Sequence, residues 1–108
     1  MGPDVLPEDQ KLIIEIAKVV RVGYLQQNAF HKDDTYVPME KQLKMMEVIL
    51  YLNHRCKEAV AQGKVVRQIV QTGIFDQLIK MKYDIPNDNI NKLDTYYHDI
   101  DEAIKSVA

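Results

Sequence analysis

A chain of 108 residues with 16 acidic and 14 basic side chains carries a formal net charge of −2, and 46% of it is hydrophobic. That is one domain's worth of chain with material for a core, and its charge balance excludes a sequence-wide electrostatic footprint for nucleic acid or an anionic membrane. The single cysteine, Cys56, excludes a disulfide within the chain, and no apolar run approaches the ~18 residues of a membrane span, so a soluble intracellular protein without direct membrane insertion is expected.

Pro7 suits the first turn of a helix, where its missing N–H would have been unpaired anyway, and Glu8 and Asp9 complement the positive helix end. Leu12, Ile13, Ile16, Ala17, Val19 and Val20 then recur at helical spacing, with Lys11, Glu15, Lys18 and Arg21 mostly opposite. The spacing predicts a helix to about Arg21, with Gly23 as a break or C-cap. Residues 24–37 read as an irregular or briefly helical connector. Pro38 and Glu40 repeat the start signal. Met39, Gln42, Leu43, Met46, Ile49, Leu50, Asn53, Cys56 and Val60 then keep one face in register through about Gln62, roughly 36 Å of helix at ~1.5 Å per residue.

Gly63-Lys64 ends this longest element, and two short helices follow. The first carries Val65, Val66, Ile69 and Val70 and stops at Thr72-Gly73; the second, Ile74 to Lys82, offers Ile74, Phe75, Leu78, Ile79 and Met81 as core. Pro86 with Asn87, Asp88 and Asn89 makes a turn and capping region. The last helix spaces Ile90, Leu93, Tyr97, Ile100, Ile104 and Val107 alternately by three and four, an apolar seam that needs a groove, most simply the face of residues 39–62. No run of period-two alternation predicts a strand. The expected fold is all-α, a bundle of about five or six helices whose long central member packs against the first and the last.

The connector is unlike a plain linker. Tyr24, Phe30 and Tyr36 stand among Gln26, Gln27 and Asn28, a mixture suited to packing and hydrogen bonding in one place. The run Leu25-Gln26-Gln27-Asn28-Ala29-Phe30-His31, followed by Asp34-Thr35-Tyr36 and Glu40-Lys41-Gln42, resembles the C-terminal region of the catalytic A subunit of vacuolar-type and archaeal-type rotary ATPases. Gly2-Pro3-Asp4-Val5-Leu6-Pro7 resembles the lead-in to that region, so the similarity covers nearly the whole chain. Two departures flank the motif: Val22-Gly23 stands where the family usually has an acidic pair, and Val37 where it often has cysteine.

The resemblance implies that residues 1–108 are the C-terminal helical domain of a larger subunit, cut from its nucleotide-binding domain. It places the aromatic ring of Phe30 against adenine, and a ring stacked on a base contributes about 1–3 kcal/mol. Gln27, one helical turn earlier, offers a carbonyl and an amide to the adenine edge. It also implies that the turn after the long helix, with Lys57, Glu58, Gln62, Gly63 and Lys64, faces the central stalk. The expected partners are the nucleotide-binding domain of the same subunit, neighbouring B subunits and that stalk, in a cytoplasmic, peripheral part of a membrane-bound complex. ATP or ADP with Mg belongs to the parent subunit, and no cofactor is expected for the chain itself. The alternative is a free-standing helical interaction module that docks a partner through the 90–107 seam or the 24–38 connector.

No catalytic centre is expected. A phosphate cradle needs closely spaced glycines before a Lys and a Ser or Thr, whereas Gly63-Lys64 has no glycine at the required distance before it and Val65 after it. His31, Asp33 and Asp34 lack a recognised ligand spacing for a metal. His54 and Cys56, two apart on a helix, point in different directions. His98, Asp101 and Glu102 share a face but read as surface charge pairing.

Overall fold

The computed structural model describes residues 6–25 and 38–107. Helix α1 spans Glu8–Lys18 and continues without a break into a π-helical stretch, Val19–Leu25. Helix α2 spans Met39–Ala61, α3 Val66–Gln71 and α4 Ile74–Asp84; a 3-10 turn, Ile90–Asp94, leads into α5, Thr95–Ser106. Among the described residues there is no strand, so the fold is the all-α bundle that the periodicities predict. Pro7 and Pro38 each sit one residue before a helix: the Pro7 carbonyl accepts from Gln10 N–H at 3.1 Å and Lys11 N–H at 3.0 Å, and the Pro38 carbonyl from Gln42 N–H at 3.0 Å.

The turn after α2 shows why Gly63 ends it. Gly63 has φ +94° and donates its N–H to Val60 O, while Lys64 N–H reaches back to Ala59 O, both at 3.0 Å. This paired arrangement closes the last helical carbonyls and favours glycine in the left-handed position. Gly73, φ +87°, performs the second reversal, between α3 and α4.

Helix α2 packs against both α1 and α5, as expected for the central member. The buried set joins Leu12 and Val19 to Met45, Val48, Ile49, Leu52 and Cys56, then to Ile69, Phe75, Leu78, Met81, Leu93, Ile100 and Ile104. Four of the seam residues at the end of the chain, Leu93, Ile100, Ile104 and Val107, are buried as predicted. Tyr96 joins them. Tyr97 is half-buried and meets Tyr51 of α2 edge to face, with ring centroids 5.0 Å apart. Ile90 to Asp94 is a 3-10 turn and not the first turn of α5.

Three expectations are corrected. First, the buried stripe of α2 is Lys41, Met45, Val48, Ile49, Leu52, Cys56 and Ala59, and the predicted face shares only Ile49 and Cys56 with it. Met39, Leu43 and Leu50 are 68%, 58% and 57% exposed. Apolar residues surround most of this helix, so the hydrophobic pattern did not single out one side, and the true stripe begins at a lysine. Second, Ile13 is exposed; α1 turns Leu12 inward, and Val19 is buried at the start of the π-helical stretch. Third, Gly23 neither breaks nor caps the first helix. It lies within the π-helical stretch, buried, and packs on α4 where a β-carbon would stand 2.8 Å from Ile79 Cα. Glycine is required there by close backbone approach and not by a left-handed turn.

Candidate functional site

Two places on the fold bear on function: the turn after α2, and the pair of anchors that flank residues 26–37. Phe30 and Gln27, with His31, Asp33 and Asp34, lie outside the described residues.

At the turn, Lys57, Glu58, Gln62 and Gly63 are exposed and Lys64 is half-buried. Glu58 is engaged from its own helix: it accepts from Arg55 Nη1 at 3.1 Å, and His54 Nε2 lies 3.6 Å away. Lys64 turns inward and donates from Nζ to Ile104 O, 2.9 Å away at the end of α5. Just beyond it, Val66 N–H donates to Glu8 Oε2 at 2.9 Å. The turn is therefore braced by α5 and α1, with Lys57, Gln62 and the Gly63 backbone presented outward. It cannot cradle a phosphate: the Gly63 and Lys64 amides are spent on α2 carbonyls, and the opening of α3 already holds a carboxylate.

The flanking anchors escaped the sequence reading. Lys41 is 0% exposed. Its ammonium donates to Lys82 O at 2.8 Å, Ile85 O at 2.6 Å and Asn87 Oδ1 at 2.8 Å, closing the C-terminal end of α4 from the first turn of α2. A cation at a helix C-terminus meets the negative end of the macrodipole, and charge-assisted bonds offset its desolvation. The available signal was its spacing, since Lys41, Met45, Val48, Leu52, Cys56 and Ala59 recur by four and three. On the other flank, Gly23 lies against the backbone of Ile79 and Leu78, also on α4.

A third polar link joins α2 to α5. Asp101 Oδ1 accepts from Tyr51 Oη at 2.7 Å and from Arg55 Nε at 3.1 Å. The Tyr51 hydrogen bond and the Arg55 guanidinium hold the Asp101 carboxyl below the ordinary carboxylate range, and the same hydrogen bond raises the Tyr51 phenol. Asp101 thus pairs with α2 and leaves the expected cluster with His98 and Glu102; Glu102 faces Lys105 at 4.0 Å. Cys56 is fully buried, and burial pushes its thiol up to about 12, far from thiolate chemistry at neutral pH, while His54 points outward. Among the described residues no three His, Cys, Asp or Glu side chains gather as a metal site, and no helix is long and apolar enough to cross a membrane.

The fold and these surfaces define an all-α domain with, among the described residues, five α-helices about a long central one. A family model described as the C-terminal domain of V and A type ATP synthase matches residues 1–70. The V-type ATP synthase alpha chain 2 of Clostridium tetani is 45% identical over 112 residues, covering 97% of this chain and 19% of its own length. The A subunit of the A-type ATP synthase of Methanopyrus kandleri is 42% identical over 108 residues, covering 99% and 18% respectively. The V-type ATP synthase alpha chain of Halothermothrix orenii is 37% identical over 92 residues, covering 85% and 16%. The chain belongs to the family of V and A type ATP synthase C-terminal domains, and it spans less than a fifth of the length of these relatives.

Proposed function

We propose that the chain acts within the catalytic A subunit of a V/A-type rotary ATP synthase as the wall that closes the adenine side of the nucleotide pocket. Phe30 stacks on the purine, at about 1–3 kcal/mol for such a contact, and Gln27 bonds its edge. The turn at Gly63 faces the central stalk, and the outer helices meet neighbouring B subunits. Catalysis belongs to the remainder of the subunit, which holds ATP or ADP with Mg, and the assembly is a peripheral, cytoplasmic part of a membrane-bound complex.

The observation that carries this reading is the coverage: relatives named as ATP synthase alpha chains or A subunits match 97% and 99% of this chain while the chain matches only 19% and 18% of them. Two features of the fold support it. The turn at Gly63 is exposed at its tip and braced behind by Lys64 and Glu8, as a surface that bears force requires. The exposed stripe of Met39, Leu43 and Leu50 begins at the C-terminal mouth of the connector, so whichever part of the parent meets the connector also meets an apolar face; we assign that face to the nucleotide-binding domain.

The test is photolabelling of the full subunit in its complex with a 2-azido adenine nucleotide. Covalent label on the peptide containing Gln27 and Phe30 is the expected result. Label confined to peptides outside residues 1–108 overturns the assignment.

A further inference from the structure

We propose that the groove between α1 and α3 is a docking site for a helix of a neighbouring subunit, one that sets a large apolar side chain between the two helices and a carboxylate beside Arg67. The proposal rests on the reading that the outer helices of this domain meet neighbouring subunits, and it gives the place and the chemistry of one such contact.

The groove is apolar and its walls are tied together. Leu6, Ile14, Val66 and Val70 line it, and it encloses about 240 Å³. That is below the ~300–1,000 Å³ of pockets that take drug-sized ligands or cofactors and above the ~150 Å³ that holds a benzene ring. The size suits one anchoring side chain, such as leucine or phenylalanine, and leaves no room for a nucleotide. Glu8 joins the two walls: its Oε2 accepts from Val66 N–H at 2.9 Å where α3 opens, and its Oε1 accepts from Lys11 Nζ at 3.4 Å on α1. A groove formed in advance lowers the ordering cost of binding. Beside it Ile14 is 53% exposed, and Ile13 and Ala17 continue the exposed apolar strip along α1. A helix laid along α1 covers that strip while its anchor enters the groove.

Charge selects the partner. Between Ala59 and Phe75 the sequence holds Lys64 and Arg67 and no carboxylate, and Lys64 is turned inward onto Ile104 O at 2.9 Å. Arg67 lines the groove, exposed, and makes no ion pair among the described residues. Lys18 and Arg21, exposed farther along the same side, make none either. Lys11 is taken by Glu8, so Lys18, Arg21 and Arg67 stand against Glu15 on the groove wall and Asp9 in the first turn of α1. This face is net positive on a chain whose net charge is −2. A planar guanidinium beside an apolar groove takes a carboxylate through two parallel hydrogen bonds. The partner that fits therefore carries Asp or Glu three or four residues from its anchor, where both lie on one face of its helix. A basic segment in that place meets Arg67 and is rejected.

The experiment uses the full subunit in its assembled complex. A benzophenone side chain is introduced in place of Ile14, or in place of Ala17 outside the groove, and the photocross-linked peptide is read by mass spectrometry. From Ile14 the expected product is a helical segment of a neighbouring subunit with Leu, Ile, Met or Phe three or four residues from Asp or Glu. A cross-link to residues 1–5 of the same chain, to its own nucleotide-binding domain, or to a neighbouring segment without that carboxylate overturns the proposal. If Ala17 reaches a neighbour and Ile14 does not, the outer face meets a subunit and the groove is wrong; if neither does, the reading beneath it falls as well. Ile14→Asp and Arg67→Glu, both at exposed positions, should each weaken association of the subunit with its neighbours on the order of tenfold or more, as loss of an anchor or of its charge partner does. Gln68→Glu, one residue along α3 in a separate hollow with Ser106, should leave association nearly unchanged. Equal losses in Arg67→Glu and Gln68→Glu, or no loss in Ile14→Asp and Arg67→Glu, overturn the proposal. Nucleotide labelling at Phe30 in the same complexes is independent of these results, so the adenine contact and the groove stand or fall separately.

Discussion

Gly23 and Ile79 meet backbone to backbone: a β-carbon at Gly23 would sit 2.8 Å from Ile79 Cα and 3.1 Å from its carbonyl oxygen. Neither neighbouring atom belongs to a flexible side chain, so a methyl group forces the π-helical stretch and α4 apart. Gly23→Ala should therefore destabilise by about 1–3 kcal/mol through overpacking, more than the ~0.4–1 kcal/mol that a less flexible unfolded chain returns. Thermal denaturation of the chain checks this, at roughly 4–8 °C of Tm per kcal/mol for a domain near this size. An unchanged or raised Tm contradicts the close approach.

Lys41 and Lys44 are three residues apart on α2 and make opposite predictions. Lys41 is wholly buried with its ammonium on the Lys82 and Ile85 carbonyls, whereas Lys44 meets exposed Asp94 at 3.4 Å. Replacing each with methionine removes the ammonium and keeps most of the apolar stem. Lys41→Met leaves the carbonyl end of α4 without its donors and should cost about 2–3 kcal/mol; Lys44→Met should stay within about 0.5 kcal/mol, as exposed pairs do. Urea denaturation of both variants decides it, and equal losses would show that burial of Lys41 carries no energetic weight.

The link of Asp101 to Tyr51 and Arg55 gives stability a defined pH dependence. The Asp101 carboxyl is held below its ordinary range by the Tyr51 hydrogen bond and by Arg55, so its contribution is present above about pH 4, the unfolded value, and is lost as pH falls through the lower folded value. The Tyr51 phenol is raised by the same hydrogen bond; its contribution is present below about pH 10 and is lost as pH rises through the raised folded value. Asp101→Asn should lower stability at neutral pH and converge on the wild type in acid. Denaturation midpoints at pH 7 and in acid test the sign; a gap that widens in acid contradicts it.

The helices of the second half were legible because small residues punctuate them. Gly63, Gly73 and Pro86 mark three reversals, and between them Phe75, Leu78 and Met81, then Leu93, Ile100 and Ile104, leave little choice of inner face. The register of α2 was not legible, since apolar side chains lie on nearly all sides and its innermost stripe opens on a lysine, a residue type read as solvated. Gly23 shows a second limit. A glycine near a helix end reads as a C-cap, and what distinguishes close packing is the position of Ile79, which lies far along the chain and is settled only by the fold. For the candidate site, the exposed turn at Gly63 was anticipated and its bracing by Glu8 and Lys64 was not, because both bonds join distant parts of the chain. The roles given to Phe30 and Gln27 came from the resemblance of their motif, and those residues lie outside the described structure.

Whether this domain closes the adenine side of a nucleotide pocket is decided by the Michaelis constant for ATP of the full subunit carrying Phe30→Ala, measured in the assembled complex. Stacking on adenine is largely uniform binding of ground state and transition state. A wall at the adenine requires a KM raised about five- to a hundredfold, the equivalent of ~1–3 kcal/mol of lost stacking, with kcat nearly unchanged. An unchanged KM would contradict that role and return Phe30 to packing within the connector.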